Sequence, residues 1–104
     1  MRVLIVEDDA AARRGLTKLV RAWGYEAEGA ADGQEGLERI TSYRPSAVLA
    51  DMVMPRMDGL ELLPELIRRL PGAPVLLMSA YGSGDLAVEA LKRGAFDYLA
   101  KPFQ

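Results

Sequence analysis

The sequence predicts an α/β domain with a five-stranded parallel β-sheet, doubly wound so that helices lie on both faces. Short apolar runs alternate with longer amphipathic stretches along the whole chain. Strict alternation with short connections is typical of a parallel sheet with crossover helices. The chain has 104 residues, of which 50% are hydrophobic and 27% are charged. These values are those of one ordinary globular domain.

The first strand is predicted over residues 3–6, where an unbroken apolar run indicates burial on both faces. A helix is predicted over residues 10–23, and Gly24 suits the left-handed conformation that ends a helix. The apolar stripe of this helix has helical spacing and comprises Leu16, Leu19, Val20 and Trp23. Residues 25–30 alternate only weakly and are predicted to form an edge strand.

A capping-box pattern predicts the start of the second helix. Asp32 is followed three residues later by Glu35, the spacing at which both side chains satisfy free backbone N–H groups. We expect a short helix from this cap through Ile40. The third strand is predicted over residues 47–50, which are all apolar.

The same capping pattern recurs at Asp58 and Glu61 and predicts a third helix that extends to about Arg69. Pro64 lies inside this helix and lacks a backbone N–H, so we expect a local kink there. The apolar positions of this helix are expected to lie in the core: Leu60, Leu62, Leu63, Leu66, Ile67 and Leu70.

The last third of the chain predicts a turn, two strands and a helix. Residues 71–74 form the turn, and the fourth strand is predicted over residues 75–78. A helix over residues 85–93 is expected to end at Gly94. The fifth strand is predicted over residues 95–99.

Composition excludes several classes of function. The chain has no cysteine and no histidine, which excludes a disulfide framework and removes the commonest metal ligand and general base. A net charge of -2 gives no sign of the excess of basic residues that nucleic-acid binding requires. No apolar run approaches the roughly 20 residues of a membrane span. The first apolar run ends at Glu7, so no signal peptide is expected and the protein is expected to be cytoplasmic.

Charged and hydroxyl side chains follow four of the predicted strands, at the edge where an open parallel sheet binds ligands. They are Glu7, Asp8 and Asp9 after the first strand, Asp51 after the third, Ser79 after the fourth and Lys101 after the fifth. Clustered carboxylates repel one another, and a divalent cation relieves that repulsion. Oxygen ligands alone favour Mg²⁺, with Mn²⁺ or Ca²⁺ as alternatives. A carboxylate is the expected nucleophile in an anionic transfer that metal and lysine would assist.

Four motifs make the chain resemble the receiver domain of two-component response regulators, the CheY-like superfamily. They are V-L-I-V-E-D-D, A-D-M-V-M-P-R-M-D-G, L-M-S-A and D-Y-L-A-K-P-F, in this order and at these spacings. The resemblance covers essentially the whole chain. It implies a flavodoxin-like sheet of order 2-1-3-4-5. It also implies that Asp51 accepts a phosphoryl group from the phosphohistidine of a partner histidine kinase.

The resemblance also implies roles for the other site residues. Mg²⁺ would be held by Asp8, Asp51 and the backbone carbonyl of Val53, with Glu7 acting through water. Lys101 would contact an oxygen of the acylphosphate. Two residues are implied to form the switch: the Ser79 hydroxyl would move toward the phosphate, and the ring of Tyr98 would turn inward with it. The three adjacent acids leave two choices for the pocket pair, Glu7 with Asp8 or Asp8 with Asp9.

The chain departs from the family pattern because no fifth helix follows the last predicted strand. We expect residues 1–104 to form one receiver domain that is truncated after this strand, with apolar surface left open. A homodimer through the uncovered side of strand 5 and helix 4 would cover such surface. An output domain or effector would lie outside this chain, so we expect no direct binding of nucleic acid by this domain. The resemblance implies that Val53 and Tyr81 occupy the positions that tune the lifetime of the phosphate. Both lack a carboxamide or an acid to orient attacking water, which predicts slow self-dephosphorylation.

Alternative functions use the same residue types. An aspartyl-phosphate phosphatase of the haloacid dehalogenase type would need a second aspartate two residues after Asp51, where this chain has Val53. A phosphorylation-independent interaction module would not need the acidic residues. A flavodoxin-like FMN site would need hydroxyl donors in the first loop instead of acids. We therefore favour a signalling phosphoacceptor that promotes its own phosphorylation and dephosphorylation.

Overall fold

The computed structural model describes residues 1–52, 54, 57–79 and 84–100. Within these residues strands and helices alternate strictly along the chain. The elements are β1 (Arg2–Val6), α1 (Ala10–Ala22), β2 (Glu26–Ala30), α2 (Gly33–Tyr43), β3 (Ala47–Asp51), α3 (Gly59–Arg69), β4 (Val75–Ser79), α4 (Gly84–Lys92) and β5 (Asp97–Ala100).

The five strands form one parallel sheet in the order β2-β1-β3-β4-β5, which confirms the predicted fold class and strand order. β1 lies between β2 and β3, and its residues Leu4, Ile5 and Val6 are fully buried. This is the burial predicted for an unbroken apolar run. β2 lies at the edge of the sheet, as its weak alternation predicted.

The core has two layers, one on each face of the sheet. The larger layer joins the sheet to α2, α3 and α4 and includes Val48, Leu63, Leu77 and Ala90. The smaller layer joins the sheet to α1. It comprises buried Ile5, Val20 and Ala27 with half-buried Val3, Leu16 and Leu49 around them. The arrangement confirms that helices lie on both faces.

An open apolar groove lies on the face that α1 covers only in part. It has a volume of about 350 Å³, and Leu49, Leu76 and Leu99 of three neighbouring strands line it together with Trp23. Trp23, the last residue of the predicted stripe, is 62% exposed. Among the described residues, the groove is therefore an apolar surface of the sheet that α1 leaves uncovered.

Two predicted strand boundaries are wrong for the same physical reason. β5 begins at Asp97 and not at residue 95, because the backbone N–H of Ala95 donates to the carbonyl of Ala90 (3.0 Å) and closes the end of α4. β2 begins at Glu26 because the N–H of Tyr25 donates to Val20 at the end of α1 (3.4 Å). Amides committed to a helix end cannot join the sheet.

The helix ends agree with the predicted signals at most positions. Gly24 and Gly94 have φ of 97° and 105°, the left-handed conformation predicted for them. α2 extends to Tyr43 and not only to Ile40, and Arg44 caps it with φ of 52°. A non-glycine residue in this conformation carries no sequence signal, because glycine is the residue that favours it.

α3 begins with the predicted capping box. The Asp58 carboxylate accepts from the N–H of Glu61 (2.8 Å), and the Glu61 carboxylate accepts from the N–H of Asp58 (3.3 Å). α3 continues past Pro64 to Arg69. The helix therefore tolerates the missing backbone donor, since its buried leucines Leu62, Leu63 and Leu66 pack in the core. The prediction that Ile67 also lies in the core is wrong, because its side chain is on the exposed side of the helix.

Candidate functional site

Three carboxylates converge at the carboxyl edge of the sheet. Glu7, Asp8 and Asp51 each place one oxygen so that these atoms all lie within 4.8 Å of one another. Glu7 and Asp51 are only 1% and 7% exposed, whereas Asp8 is exposed. The cluster is thus a pocket with a buried floor and one ligand facing solvent.

The pairing of β1 with β3 brings these acids together. Val6 is the register partner of Ala50, so Glu7 and Asp51 follow side by side at the ends of neighbouring strands. The N–H of Glu7 donates to the carbonyl of Ala30 (3.0 Å), which continues the sheet bonding beyond β1. The backbone of this edge is therefore ordered by the sheet itself.

Asp9 has a different position from its two acidic neighbours. It is the N-cap of α1, and its carboxylate accepts from the N–H groups of Ala11 (2.9 Å) and Ala12 (3.5 Å). Its own N–H donates to the Glu7 carboxylate (3.4 Å). Of the two pocket pairs left open by the sequence, the geometry favours Glu7 with Asp8.

The donor set fits a hard divalent cation. Carboxylates this close repel one another, and burial of Glu7 and Asp51 adds a desolvation cost. A bound cation offsets both effects. Because the donors are oxygen atoms alone, the set suits Mg²⁺ better than zinc or copper.

Two further predicted residues lie on β4 and β5. Ser79 is fully buried at the end of β4, one residue after Met78, which is the register partner of Asp51. Tyr98 in β5 pairs with Leu77 and is half-buried against the larger core layer. The predicted residues Val53, Tyr81 and Lys101 lie outside the described residues.

Sequence reasoning missed three residues that shape the pocket. A Cβ on Gly59 would lie 2.7 Å from the carbonyl oxygen of Asp51, so only glycine lets α3 begin this close to β3. The Arg13 guanidinium donates to the Glu7 carbonyl (2.8 Å), and the Arg13 side chain passes over Gly29. Two weak signals were present. Gly59 follows a cap, and Arg13 continues the helical spacing of Leu16 and Val20.

A larger open cleft of about 690 Å³ lies between the loops that precede β3 and β4. Pro45, Ser46 and Ala73 line it, so it is at the amino edge of the sheet, opposite the acids. None of the predicted site residues that the structure describes lines this cleft. Its size therefore does not indicate the functional site, which we assign to the acidic pocket on chemical grounds.

Comparison with known proteins gives one consistent result. The family model described as "Response regulator receiver domain" matches residues 3–104. The transcriptional regulatory protein ZraR of Klebsiella oxytoca is 46% identical over 100 residues, which are 96% of this chain and 23% of ZraR. The response regulator MprA of Mycolicibacterium vanbaalenii is 44% identical over 103 residues, which are 99% of this chain and 45% of MprA.

A solved structure agrees with these relatives. The CheX-CheY-BeF3-Mg²⁺ complex of Borrelia burgdorferi contains a chain that superimposes with a TM-score of 0.93 and 30% identity, over 100% of this chain and 80% of that one. The chain spans less than half the length of the curated relatives named above. In the part of the chain that the structure describes, no helix is both long and apolar enough to cross a membrane.

Proposed function

Because the chain belongs to the response regulator receiver domain family, we propose that Asp51 is the phosphoacceptor residue of a two-component phosphorelay. The observation that carries this proposal is the convergence of Glu7, Asp8 and Asp51, whose oxygen atoms lie within 4.8 Å of one another. Asp51 is the one of the three that ends a central strand. Its carboxylate is thereby presented at the edge where parallel sheets bind ligands.

Receiver domains of this family bind Mg²⁺ at an acidic pocket, and we propose that this pocket does the same. Asp8 and Asp51 would hold the ion with the backbone carbonyl of Val53, and Glu7 would act through water. When bound, the ion neutralises charge that develops on the transferred phosphoryl group. Two findings support the proposal: the all-oxygen donor set of the pocket, and the likeness of the chain to a protein solved as a complex with Mg²⁺ from Borrelia burgdorferi.

The transfer is proposed to start from a phosphohistidine of a histidine kinase. An oxygen of the Asp51 carboxylate attacks phosphorus and forms an O–P bond as the P–N bond opposite it breaks. The electron pair of that bond leaves with the imidazole nitrogen of the kinase. The burial of Asp51 supports this role, because a nucleophile at the pocket floor is shielded from competing water.

We propose that Ser79, Lys101 and Tyr98 read out the phosphorylated state. The Ser79 hydroxyl would donate to a phosphate oxygen, and Lys101 would pair with another. Tyr98 would follow Ser79 inward, because its strand β5 pairs with the strand that ends in Ser79. Movement of these side chains would alter the surface of α4 and β5.

Receiver domains of this family interact with histidine kinases and output domains. We propose that residues 1–104 are the receiver unit of a longer transcriptional regulator, since ZraR and MprA are matched over 23% and 45% of their lengths.

We also propose that a second copy of the chain binds at the side of α4 and β5, where Val88, Leu91 and Phe96 are 51%, 48% and 71% exposed. Sedimentation velocity at increasing concentration tests this, and a constant monomeric value with or without phosphorylation would contradict it.

Intact mass measurement tests the phosphoacceptor role. The chain is incubated with acetyl phosphate, with and without Mg²⁺, next to the variants Asp51→Asn and Asp85→Asn. Asp85 is an exposed acid in the first turn of α4 and serves as the matched control. We expect one phosphoryl group on the wild type and on Asp85→Asn, only with Mg²⁺, and none on Asp51→Asn.

The same samples separate the alternative functions. After the phosphodonor is removed, the adduct is expected to persist for longer than seconds, as the residues Val53 and Tyr81 predict. A folded chain without an adduct would favour an interaction module that does not need phosphorylation. Continuous release of inorganic phosphate from phosphate monoesters would instead identify a phosphatase.

A further inference from the structure

Arg13 of α1 reaches from the first helix to the backbone of the acidic pocket. Its Nη1 donates to the carbonyl oxygen of Glu7 at 2.8 Å, in a partly buried position. The N–H of Glu7 donates to Ala30 at 3.0 Å. Both the amide and the carbonyl of Glu7 are therefore hydrogen-bonded, and neither of these two bonds involves the Glu7 side chain.

Gly29 of β2 provides the space for the Arg13 side chain. A Cβ at Gly29 would lie 2.8 Å from Cγ and 2.9 Å from Cδ of Arg13, closer than side chains approach one another. The backbone of Gly29 does not have a positive φ, so its conformation does not require glycine. The absence of a side chain at this position is instead explained by the path of Arg13.

We propose that Arg13, lying over Gly29, is a positioning residue that fixes the Glu7–Asp8 peptide so that their carboxylates converge with Asp51 on a divalent cation. The carbonyl it binds belongs to the peptide that joins Glu7 to Asp8, so this one hydrogen bond orients both acids. The inference rests on the proposed Mg²⁺ pocket. Hydrogen bonds that orient groups around a metal typically change its affinity by roughly 10–100-fold when they are lost.

The direction in which the Mg²⁺ affinity changes when Arg13 is replaced distinguishes a positioning role from a purely electrostatic one. If Arg13 acted only as a cation near the pocket, its removal would tighten Mg²⁺ binding, because a repulsive charge would be lost. If Arg13 only joined α1 to β1, its removal would lower stability and leave the Mg²⁺ affinity unchanged. Only a positioning role predicts weaker Mg²⁺ binding.

Isothermal titration of the full chain with MgCl₂ tests the inference. Arg13→Met is compared with Arg14→Met, because Arg14 is the exposed neighbour on the same helix and its loss changes the net charge equally. We expect the dissociation constant for Mg²⁺ to rise roughly tenfold in Arg13→Met and to stay at or below the wild-type value in Arg14→Met. Urea unfolding without Mg²⁺ is measured on the same samples to show that each variant is folded.

A second pair of variants tests the role of Gly29. Gly29→Ala displaces the Arg13 side chain. In Gly15→Ala the new Cβ meets no atom of the described residues within 4 Å, so this variant in α1 is the matched control. Gly29→Ala should weaken Mg²⁺ binding, and Gly15→Ala should not. The double variant Arg13→Met with Gly29→Ala should bind Mg²⁺ as Arg13→Met does, because both changes act through one contact.

The outcomes distinguish this inference from the proposed function. Unchanged or tighter Mg²⁺ binding in folded Arg13→Met overturns the positioning role. Equal weakening of Mg²⁺ binding in Arg13→Met and Arg14→Met overturns it as well. Neither result affects the proposed function. A wild-type chain without saturable Mg²⁺ binding overturns both.

Discussion

Replacement of Gly59 by alanine should destabilise the domain although alanine is the better helix former. Gly59 is the first residue of α3. A Cβ there would lie 2.7 Å from the Asp51 carbonyl oxygen and 2.8 Å from the Met52 Cα, where ordinary contact begins at 3.4 Å. Both atoms belong to the backbone, so α3 or the end of β3 must move by about 0.7 Å to restore contact.

The expected magnitude follows from two opposing effects. Extra volume forced into a packed site costs about 1–3 kcal/mol. The change from glycine to alanine gains up to about 1 kcal/mol by restricting the unfolded chain. We therefore expect Gly59→Ala to lower the free energy of unfolding by roughly 1–2 kcal/mol, which lowers the melting temperature by about 4–15 °C.

Urea and thermal unfolding followed by circular dichroism measure this effect. Gly15→Ala is the control with the opposite expected sign. In the part of the chain that the structure describes, its Cβ meets no atom within 4 Å, so the variant should gain about 0.5–1 kcal/mol of stability. The displaced Asp51 should also accept phosphate from acetyl phosphate more slowly. A Gly59→Ala variant at least as stable as the wild type would refute the packing argument, whatever its phosphorylation rate.

Two further predictions concern Asp9 and Tyr43. Asp9→Ala should lose about 1 kcal/mol of stability through the missing cap and should bind Mg²⁺ as the wild type does. Asp8→Asn should bind Mg²⁺ weakly in the same calorimetric titration. The reverse pattern would assign the pocket to Asp9. Tyr43→Phe should gain about 1 kcal/mol in urea unfolding, because the Tyr43 hydroxyl oxygen is buried without a hydrogen-bond partner among the described residues. Burial, with the charges of Glu28 and Glu26, raises the pKa of Tyr43 above its ordinary 10.0, so the folded state holds this proton more tightly. Stability should then fall as the pH rises above about 10 in the wild type, and a fall of equal size in Tyr43→Phe would contradict this cause.

The sequence predicted the elements and their order because hydrophobic periodicity and cap residues are local. It could not predict contacts that depend on how elements meet. The start of β5 was misplaced because the amide of Ala95 serves the end of α4, and nothing in the apolar run of the strand shows this. Arg44 ends α2 in a left-handed conformation that its residue type does not favour.

In the candidate site too, the sequence predicted the local features but not the contacts between elements. The acids could be found in the sequence because strand ends gather at one edge of a parallel sheet. Their assignment to pocket or cap needed the structure: Asp9 accepts from amides of α1, while Glu7 and Asp8 approach Asp51. Residues that only shape the pocket, such as Arg13 and Gly29, carry no chemical motif, so the sequence alone does not indicate their roles.

The geometry of the pocket depends as much on glycines as on acids. Carboxylates at such distances repel one another, so the backbone must hold them together when no cation does. Gly59 lets α3 begin against the carbonyl of Asp51, and Gly29 leaves room for the arginine that binds the carbonyl of Glu7. Both contacts act on the main chain and use none of the carboxylate oxygens. Substitutions at these two glycines should therefore change cation binding without removing a single ligand atom, which distinguishes a preformed pocket from a cluster of surface acids.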